Sequence, residues 1–302
     1  MSLIYRQTGT LAIDPAEHPR GLSFLSAASG LVRVGKRLYV VADDENQLGV
    51  FDADASATGR LIRLFDGDLP ESNKKRKAEK VDLESLLQLP ATAAWPSGAL
   101  LALGSGSRPT RFSGALLTLD ANGEAHGPAR VIDLSPLYAD ASARFDALNI
   151  EGAFIVGDAL LLLQRGSTRN PNAVIRFPLA RVMAWLNGAA ASLQPSAIVE
   201  CDLGNADGVS LTFTDGCALP DGSWLFSAVA ELTDNSYDDG ACAAAAIGIA
   251  RGDGTLQEVR RIEPTRKIEG IDARVAGGKI TIDMVTDADD PAIPAELGET
   301  VW

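Results

Sequence analysis

Short apolar runs alternate with polar, Gly-containing turns along this chain, and one order of them recurs. In five places a polar residue, usually next to Gly, opens an apolar stretch. A Gly-containing turn and a second run rich in Leu, Val or Ile then follow. The copies are Ala28–Leu31 with Gly35–Val41, Leu83–Leu86 with Gly98–Leu103, Ile150–Ala153 with Gly157–Leu163, Thr214–Cys217 with Gly222–Phe226, and Ile268–Ile271 with Gly278–Ile282. Apolar runs of this length bounded by turn residues predict strands, and Asp120-Ala121-Asn122-Gly123 and Gly252-Asp253-Gly254 predict further tight turns between them. The polar anchors Ser29, Glu84, Glu151, Asp215 and Glu269 recur at intervals of 55, 67, 64 and 54 residues. The stretches outside them, up to Ser29 and beyond Glu269, together make one more interval of 62 residues. A unit of several strands split between the two ends is what a closed ring of sheets requires, because closure removes the free edges of an open array. The pattern therefore predicts an all-β, five-bladed β-propeller occupying residues 1–302 as one domain, with the last blade completed by an N-terminal strand around Leu3–Ile13. Six blades is the alternative if the long intervals after Glu84 and Glu151 conceal another sheet. Leu179–Leu186, with apolar residues at helical spacing, predicts a short helix between outer strands.

The chain has 302 residues, of which 46% are hydrophobic and 22% charged, so a large buried core is within reach and general disorder is excluded. Its 27 Lys and Arg against 40 Asp and Glu give a net charge of −13, which repels phosphate backbones and anionic lipid. Nucleic-acid and membrane partners are accordingly not expected. No apolar run approaches the roughly 20 residues of a membrane helix, and Met1–Thr8 lacks a basic, then apolar leader. A cytoplasmic location is the expectation, and the periplasm is the alternative if a leader has been removed. Cys201, Cys217 and Cys242 are widely spaced and odd in number, so they are expected to be small packed side chains rather than a disulfide framework or zinc site.

Only His18 and His126 are present, both among loop-forming residues, which disfavours histidine-based metal or general-base chemistry. Phosphate-loop, nucleophile-elbow and dinucleotide fingerprints are missing. The candidate chemistry lies in the anchors. On innermost strands Glu84, Glu151, Asp215 and Glu269 would approach the axis as a partial carboxylate ring. Two unit charges about 4 Å apart repel by roughly 4 kcal/mol at an effective dielectric near 20. Such a ring must protonate, pair with bases or hold a cation. Oxygen-only donors favour Ca²⁺ or Mg²⁺, so the four acids are candidate metal ligands and Ca²⁺ the candidate cofactor. The competing expectation is a buried polar network in which Lys267 and arginines neutralise the acids. Two positions before their anchors stand Lys267, Asn149 and Asp82. Where second strands emerge into loops stand Asp43, Ser107, Arg165, Glu231 and Asp287, and the loops after them carry Arg108 and Arg111. Arg108, Arg111, Arg165, Lys267, Asn149 and Asp43 are therefore candidate ligand-binding residues at one mouth of the ring. The basic run from Glu71 to Lys80 is expected to be a solvated loop.

The segments Ala28-Ser29-Gly30-Leu31, Asp82-Leu83-Glu84, Gly104-Ser105-Gly106-Ser107, Asn149-Ile150-Glu151-Gly152 and Lys267-Ile268-Glu269-Gly270 resemble uncharacterised bacterial β-propeller proteins, similar to phytase-like and SdiA-regulated-like groups. The resemblance spans about Ser26 to Asp290. It implies a propeller, and its phytase-like side implies calcium-dependent hydrolysis of phosphate or other esters. The residues name no nucleophile and base pair. A binding module for a small polar or anionic ligand, or for a protein segment at the central channel, is thus the leading expectation, with the calcium-dependent hydrolase as the alternative.

Overall fold

The apolar runs form five sheets around one axis, each built on four antiparallel strands, in a computed structural model that describes residues 2–54, 57–189, 193–232 and 241–302. Blade I contains Ala28–Val34, Arg37–Ala42, Gln47–Asp52 and Arg60–Arg63. Blade II contains Leu83–Leu89, Ala99–Gly104, Ser113–Leu119 and Ala125–Asp133, and blade III contains Ile150–Val156, Ala159–Gln164, Asn172–Pro178 and Ala197–Cys201. Blade IV contains Thr212–Ala218, Trp224–Leu232, Ala241–Ala250 and Leu256–Glu263; blade V contains Ile268–Ala276, Lys279–Thr286 and Glu296–Val301. The first strand of each blade is innermost, and each packs on the first strand of the next blade, with V returning to I. This is the five-bladed propeller.

Both faces of a blade are covered by neighbours, so the second strands are buried throughout rather than alternating. Ala99–Gly104 and Ala159–Gln164 have no exposed position. The core divides into five apolar clusters, one in each gap between blades. Leu87, Leu101, Leu160 and Ile175 fill the gap between II and III, and Phe154, Phe213, Trp224 and Phe226 that between III and IV. The longer sequence intervals hold helices, Ser135–Arg144 before blade III and Leu179–Leu186 within it, and a small hairpin, Asn205–Ala206 with Val209–Ser210. These elements account for the extra length, and the described strands form five blades. The helix at Leu179–Leu186 has the predicted bounds.

Ring closure is more distributed than one terminal strand. Arg6–Thr10 completes blade V antiparallel to Glu296–Val301, but Leu3–Ile4 runs parallel to Ile262–Glu263 on the edge of blade IV. Ala12 and Ile13 then bridge to Phe24 and to Gly59 of the blade I side. The N-terminal segment thus spans three successive blades, and Leu3, Tyr5, Leu11 and Ile13 are all buried.

The second deviation concerns register. In every blade the pairing between first and second strands skips one residue near the start of the first strand: Ser29, Glu84, Glu151, Thr214 and Glu269. Such a bulge re-aims the side chain of the extra residue. Four of the five predicted anchors are these bulge residues. In blade IV the bulge residue is Thr214, one position before the predicted Asp215. Deleting residues 1–13 should uncover sheet edges on blades IV and V and remove four buried side chains, each worth about 1.5–3 kcal/mol. Thermal unfolding should move down by many degrees and size-exclusion chromatography should show self-association; an unchanged melting temperature and elution volume would show that closure does not depend on this segment.

Candidate functional site

The bulges lie at one end of the axis, beside the ends of the second strands, and four of the five bulge residues line a cavity of about 1020 Å³. Glu84, Glu151 and Glu269 reach it from blades II, III and V, and Ser29 from blade I. Asp43, Asn149, Arg165 and Lys267 line it as well, with Arg108 and Arg111 from the loop after blade II's second strand. The structure therefore brings nine of the ten sequence-predicted residues to one place.

Asp215 is the exception. Its Oδ2 accepts the Ile271 N–H of the neighbouring inner strand at 2.8 Å, and it does not line the cavity. It occupies the position after the bulge, where the other blades place Gly30, Ser85, Gly152 and Gly270 against the adjacent strand. There a Cβ on Gly152 would come within 3.1 Å of the Asp215 backbone, and one on Gly270 within 3.0 Å of the Leu31 nitrogen. Thr214, the actual bulge residue, turns its hydroxyl to the Ile268 carbonyl at 2.7 Å. Blade IV thus adds no anchor acid to the cavity. Its contribution is Glu231, from the far end of the second strand.

The cations are already engaged. Arg165 lies 2.7 Å from Glu231 and 3.4 Å from Glu151, while Lys267 lies 2.5 Å from Asp289, 3.0 Å from Glu231 and 3.3 Å from Glu269. Arg111 pairs with Asp82 at 2.5 Å, and the Ser105 hydroxyl donates to the same carboxylate at 2.6 Å. Asn149 Nδ2 donates to Glu151 Oε1 at 2.5 Å. These contacts are the buried network that the sequence offered as the competing outcome.

Two cavity lysines come from the basic run expected to be a solvated loop. It folds instead as a helix, Asn73–Glu79, that places Lys77 at the cavity wall and leads into Lys80. Lys80 is buried, pairs with Asp43 and lies 2.8 Å from Asp82. The run of like charges concealed it; the usable signal was Asp82, an acid two positions before an anchor. Arg76, from the same helix, is buried near Asp44 in a second cluster beneath blade I. That cluster holds His18, which is enclosed rather than a solvated loop residue: Nδ1 accepts the Arg20 N–H at 3.1 Å and Nε2 lies 3.1 Å from Glu45.

Burial dominates the carboxyl groups at the cavity floor. Desolvation pushes Glu84 well above the usual carboxylate range, and Glu151, Asp82 and Asp43 add to it. Burial likewise lifts Glu151 to about 8 against the opposing pull of Arg165, and Glu269 to about 7 against Lys267 and Arg165. Glu231 goes the other way. Burial would raise it, but Arg165 and Lys267 outweigh that and hold it low. Burial would also lower the Lys267 ammonium, yet Glu269 and Glu231 hold it above its ordinary range.

Some capacity is left over. Glu84 has neither a hydrogen bond nor an ion pair to its carboxylate among the described residues. Glu269 is 4% exposed and neither of its carboxylate oxygens has a hydrogen-bond partner. Asp43, Asp82 and Glu84 each offer one oxygen within 4.8 Å of the others, a spacing a hard cation can use. The Lys80 ammonium already sits against two of the three.

Residues 24–300 match one protein family along nearly the whole chain. The chain belongs to the family of unknown function DUF6929. No curated protein matches it. Among solved structures, the catalytic domain of the Coprinopsis cinerea GH62 alpha-L-arabinofuranosidase is similar at a TM-score of 0.53 and 11% identity, over 99% of this chain and 97% of that one. A mutant Bombyx mori GH32 beta-fructofuranosidase in complex with sucrose gives 0.51 at 10% identity, over 97% of this chain and 61% of that one. The Cellvibrio cellulosa alpha-L-arabinanase complexed with arabinohexaose gives 0.48 at 11%, over 91% and 92%. Identities this low show a common fold. For this DUF6929 member, no helix among the described residues is long and apolar enough to cross a membrane.

A buried acid whose folded-state pKa is raised gives its full contribution to stability below its unfolded pKa and loses it as pH climbs through the folded value. For Glu269 that window runs from the ordinary 4.5 to about 7. Glu269→Gln keeps the neutral shape, and Lys267 retains Glu231 and Asp289 as partners. The variant should match the parent within about 0.5 kcal/mol near pH 4 and exceed it by on the order of 1–3 kcal/mol above pH 8, as read from urea unfolding. A variant less stable at alkaline pH would show that the Glu269 charge supports the fold.

Proposed function

We propose that the protein is a binding module whose ligand, a small polar molecule, sits in the axial cavity on the floor formed by Glu84, Glu151 and Glu269. One observation carries this reading. A cavity of about 1020 Å³, large enough for such a molecule, is lined by the buried Glu269, whose two carboxylate oxygens have no hydrogen-bond partner among the described residues, and by the half-buried Glu84. Buried polar groups of this kind are costly unless something completes them. Asn149, Ser29 and the rim residue Arg108 supply further polar contacts around the same space. Arg111, Arg165 and Lys267 are held by carboxylates of the protein itself, so they shape the wall and its potential, and an anionic ligand would have to compete for them.

The phytase-like alternative, a calcium-dependent hydrolase of phosphate or other esters, has one observation in its favour: the close oxygens of Asp43, Asp82 and Glu84. A Ca²⁺ ion there would be held by these three and would activate water or polarise an ester. It would have to displace the Lys80 ammonium, which lies 2.8 Å from Asp82.

Thermal unfolding of chelator-treated protein against millimolar calcium, inorganic phosphate and a set of small polyols, amines and carboxylic acids separates the two. A ligand at a hundred times its dissociation constant stabilises the folded state by about 2.7 kcal/mol, a shift of several degrees. The binding-module reading expects such a shift from an organic polar compound without calcium, reduced by Glu84→Gln. A calcium shift that Glu84→Gln abolishes would favour the hydrolase, and silence towards every compound and towards calcium would remove both.

A further inference from the structure

The chemistry at the cavity floor constrains the ligand further, on the reading that a small polar molecule binds there. Glu269 is the key group. Its side chain is 6% exposed and lines the cavity, and Oε1 lies 3.3 Å from Lys267 Nζ without a hydrogen bond between them. The Lys267 ammonium is drawn instead to Asp289 at 2.5 Å, with which it hydrogen-bonds, and to Glu231 at 3.0 Å. In its ionised form Glu269 only accepts, so the partner that stabilises that form must be a donor.

Charge decides which kind of donor. Among the described lining residues nine are acidic and six are basic, and burial holds Glu84, Glu151 and Glu269 back from ionising, so the acids lack enough cations to ionise together. A hydroxyl would satisfy hydrogen-bond geometry without adding a counter-charge, whereas an N–H on a charged nitrogen supplies both. A compact metal ion suits Glu269 less well. The tight carboxylate group of the cavity comprises Asp43, Asp82 and Glu84, and Glu269 is not among its members. A single unpartnered carboxylate in the cavity lining suits an ammonium group, which brings three donors.

We propose that the axial cavity selects ligands carrying a primary ammonium group, which Glu269 anchors at the floor with Glu84 as a second acceptor.

Three four-carbon probes of equal length test this: 1,4-diaminobutane, 1,4-butanediol and succinate, titrated calorimetrically into the full chain at moderate salt. The diamine should bind with one-to-one stoichiometry, and the diol and succinate at least tenfold more weakly. Glu269→Gln should weaken the diamine at least tenfold, and Glu84→Gln should weaken it by a smaller factor. Nonspecific attraction of a diamine to an acidic protein would persist in both variants and would lack fixed stoichiometry, and that result overturns the proposal. Equal or tighter binding of the diol or succinate, with loss in Glu84→Gln, overturns the ammonium preference while leaving the cavity a ligand site. Failure of all three probes overturns the ammonium preference, and the broader compound set then decides whether the cavity binds anything.

Discussion

One extra residue per blade, inserted at the start of the innermost strand, is the constraint from which the site follows. Strands in a propeller are covered on both faces, so a polar side chain has nowhere to go inside a blade without losing water. The bulge is the exit. By skipping one residue between, for example, Ile150 and Gly152, the chain lets Glu151 leave the alternation and point along the axis, while Ile150 and Ala153 stay in the gaps between blades. The residue that follows then lies against the next blade's inner strand, where space is scarce. Gly30, Gly152 and Gly270 fit because they bring no Cβ into a gap of about 3 Å. A polar residue followed by a very small one is the same geometric requirement read along the chain.

Carboxylates gathered this way repel one another, and the fold contains that repulsion by alternating signs around the cavity. Arg165 stands between Glu151 and Glu231, Lys267 between Glu231 and Glu269, and Lys80 between Asp43 and Asp82. Each cation serves at least two acids. Desolvation still prevails at Glu84, Glu151 and Glu269, all pushed up, and yields at Glu231, which pairs closely with both Arg165 at 2.7 Å and Lys267 at 3.0 Å. The balance between burial and pairing differs from one acid to the next, so the floor is chemically uneven despite the ring's pseudo-symmetry.

Much of this was legible before the structure. Repeats of polar residue, small residue and apolar strand located five blades and four of the five bulges, because packing at the axis restricts residue types strongly. Blade IV was displaced by one because Asp215-Gly216 imitates the Glu-Gly pairs of blades III and V, whereas the bulge is Thr214 and the small position is filled by Asp215. Only the register of hydrogen bonds distinguishes these two placements. Lys80 was hidden for a different reason. A run of lysines looks solvated when taken as a whole, and the burial of one member depends on the turn of helix Asn73–Glu79 against the mouth, a tertiary contact with no local signature. The path of the N-terminal segment across blades IV, V and I was likewise invisible, since short strands on several edges leave the same apolar spacing as one longer strand.

The propeller frame and the cavity floor answer to different pressures. Apolar volume between blades fixes the frame, and that requirement is met by many sequences, which is why structures at about 10% identity superpose on this one. The floor is fixed by which side chain each bulge carries, and there the blades are free to differ: Ser29, Glu84, Glu151, Thr214 and Glu269 occupy equivalent backbone positions with five different surroundings. Ser29, Glu84, Glu151 and Glu269 line the cavity, so the charge each brings there is separate from the apolar packing of the gaps between blades. The charge of the cavity floor is therefore set one blade at a time, by the bulge residues and their partners rather than by the ring that holds them.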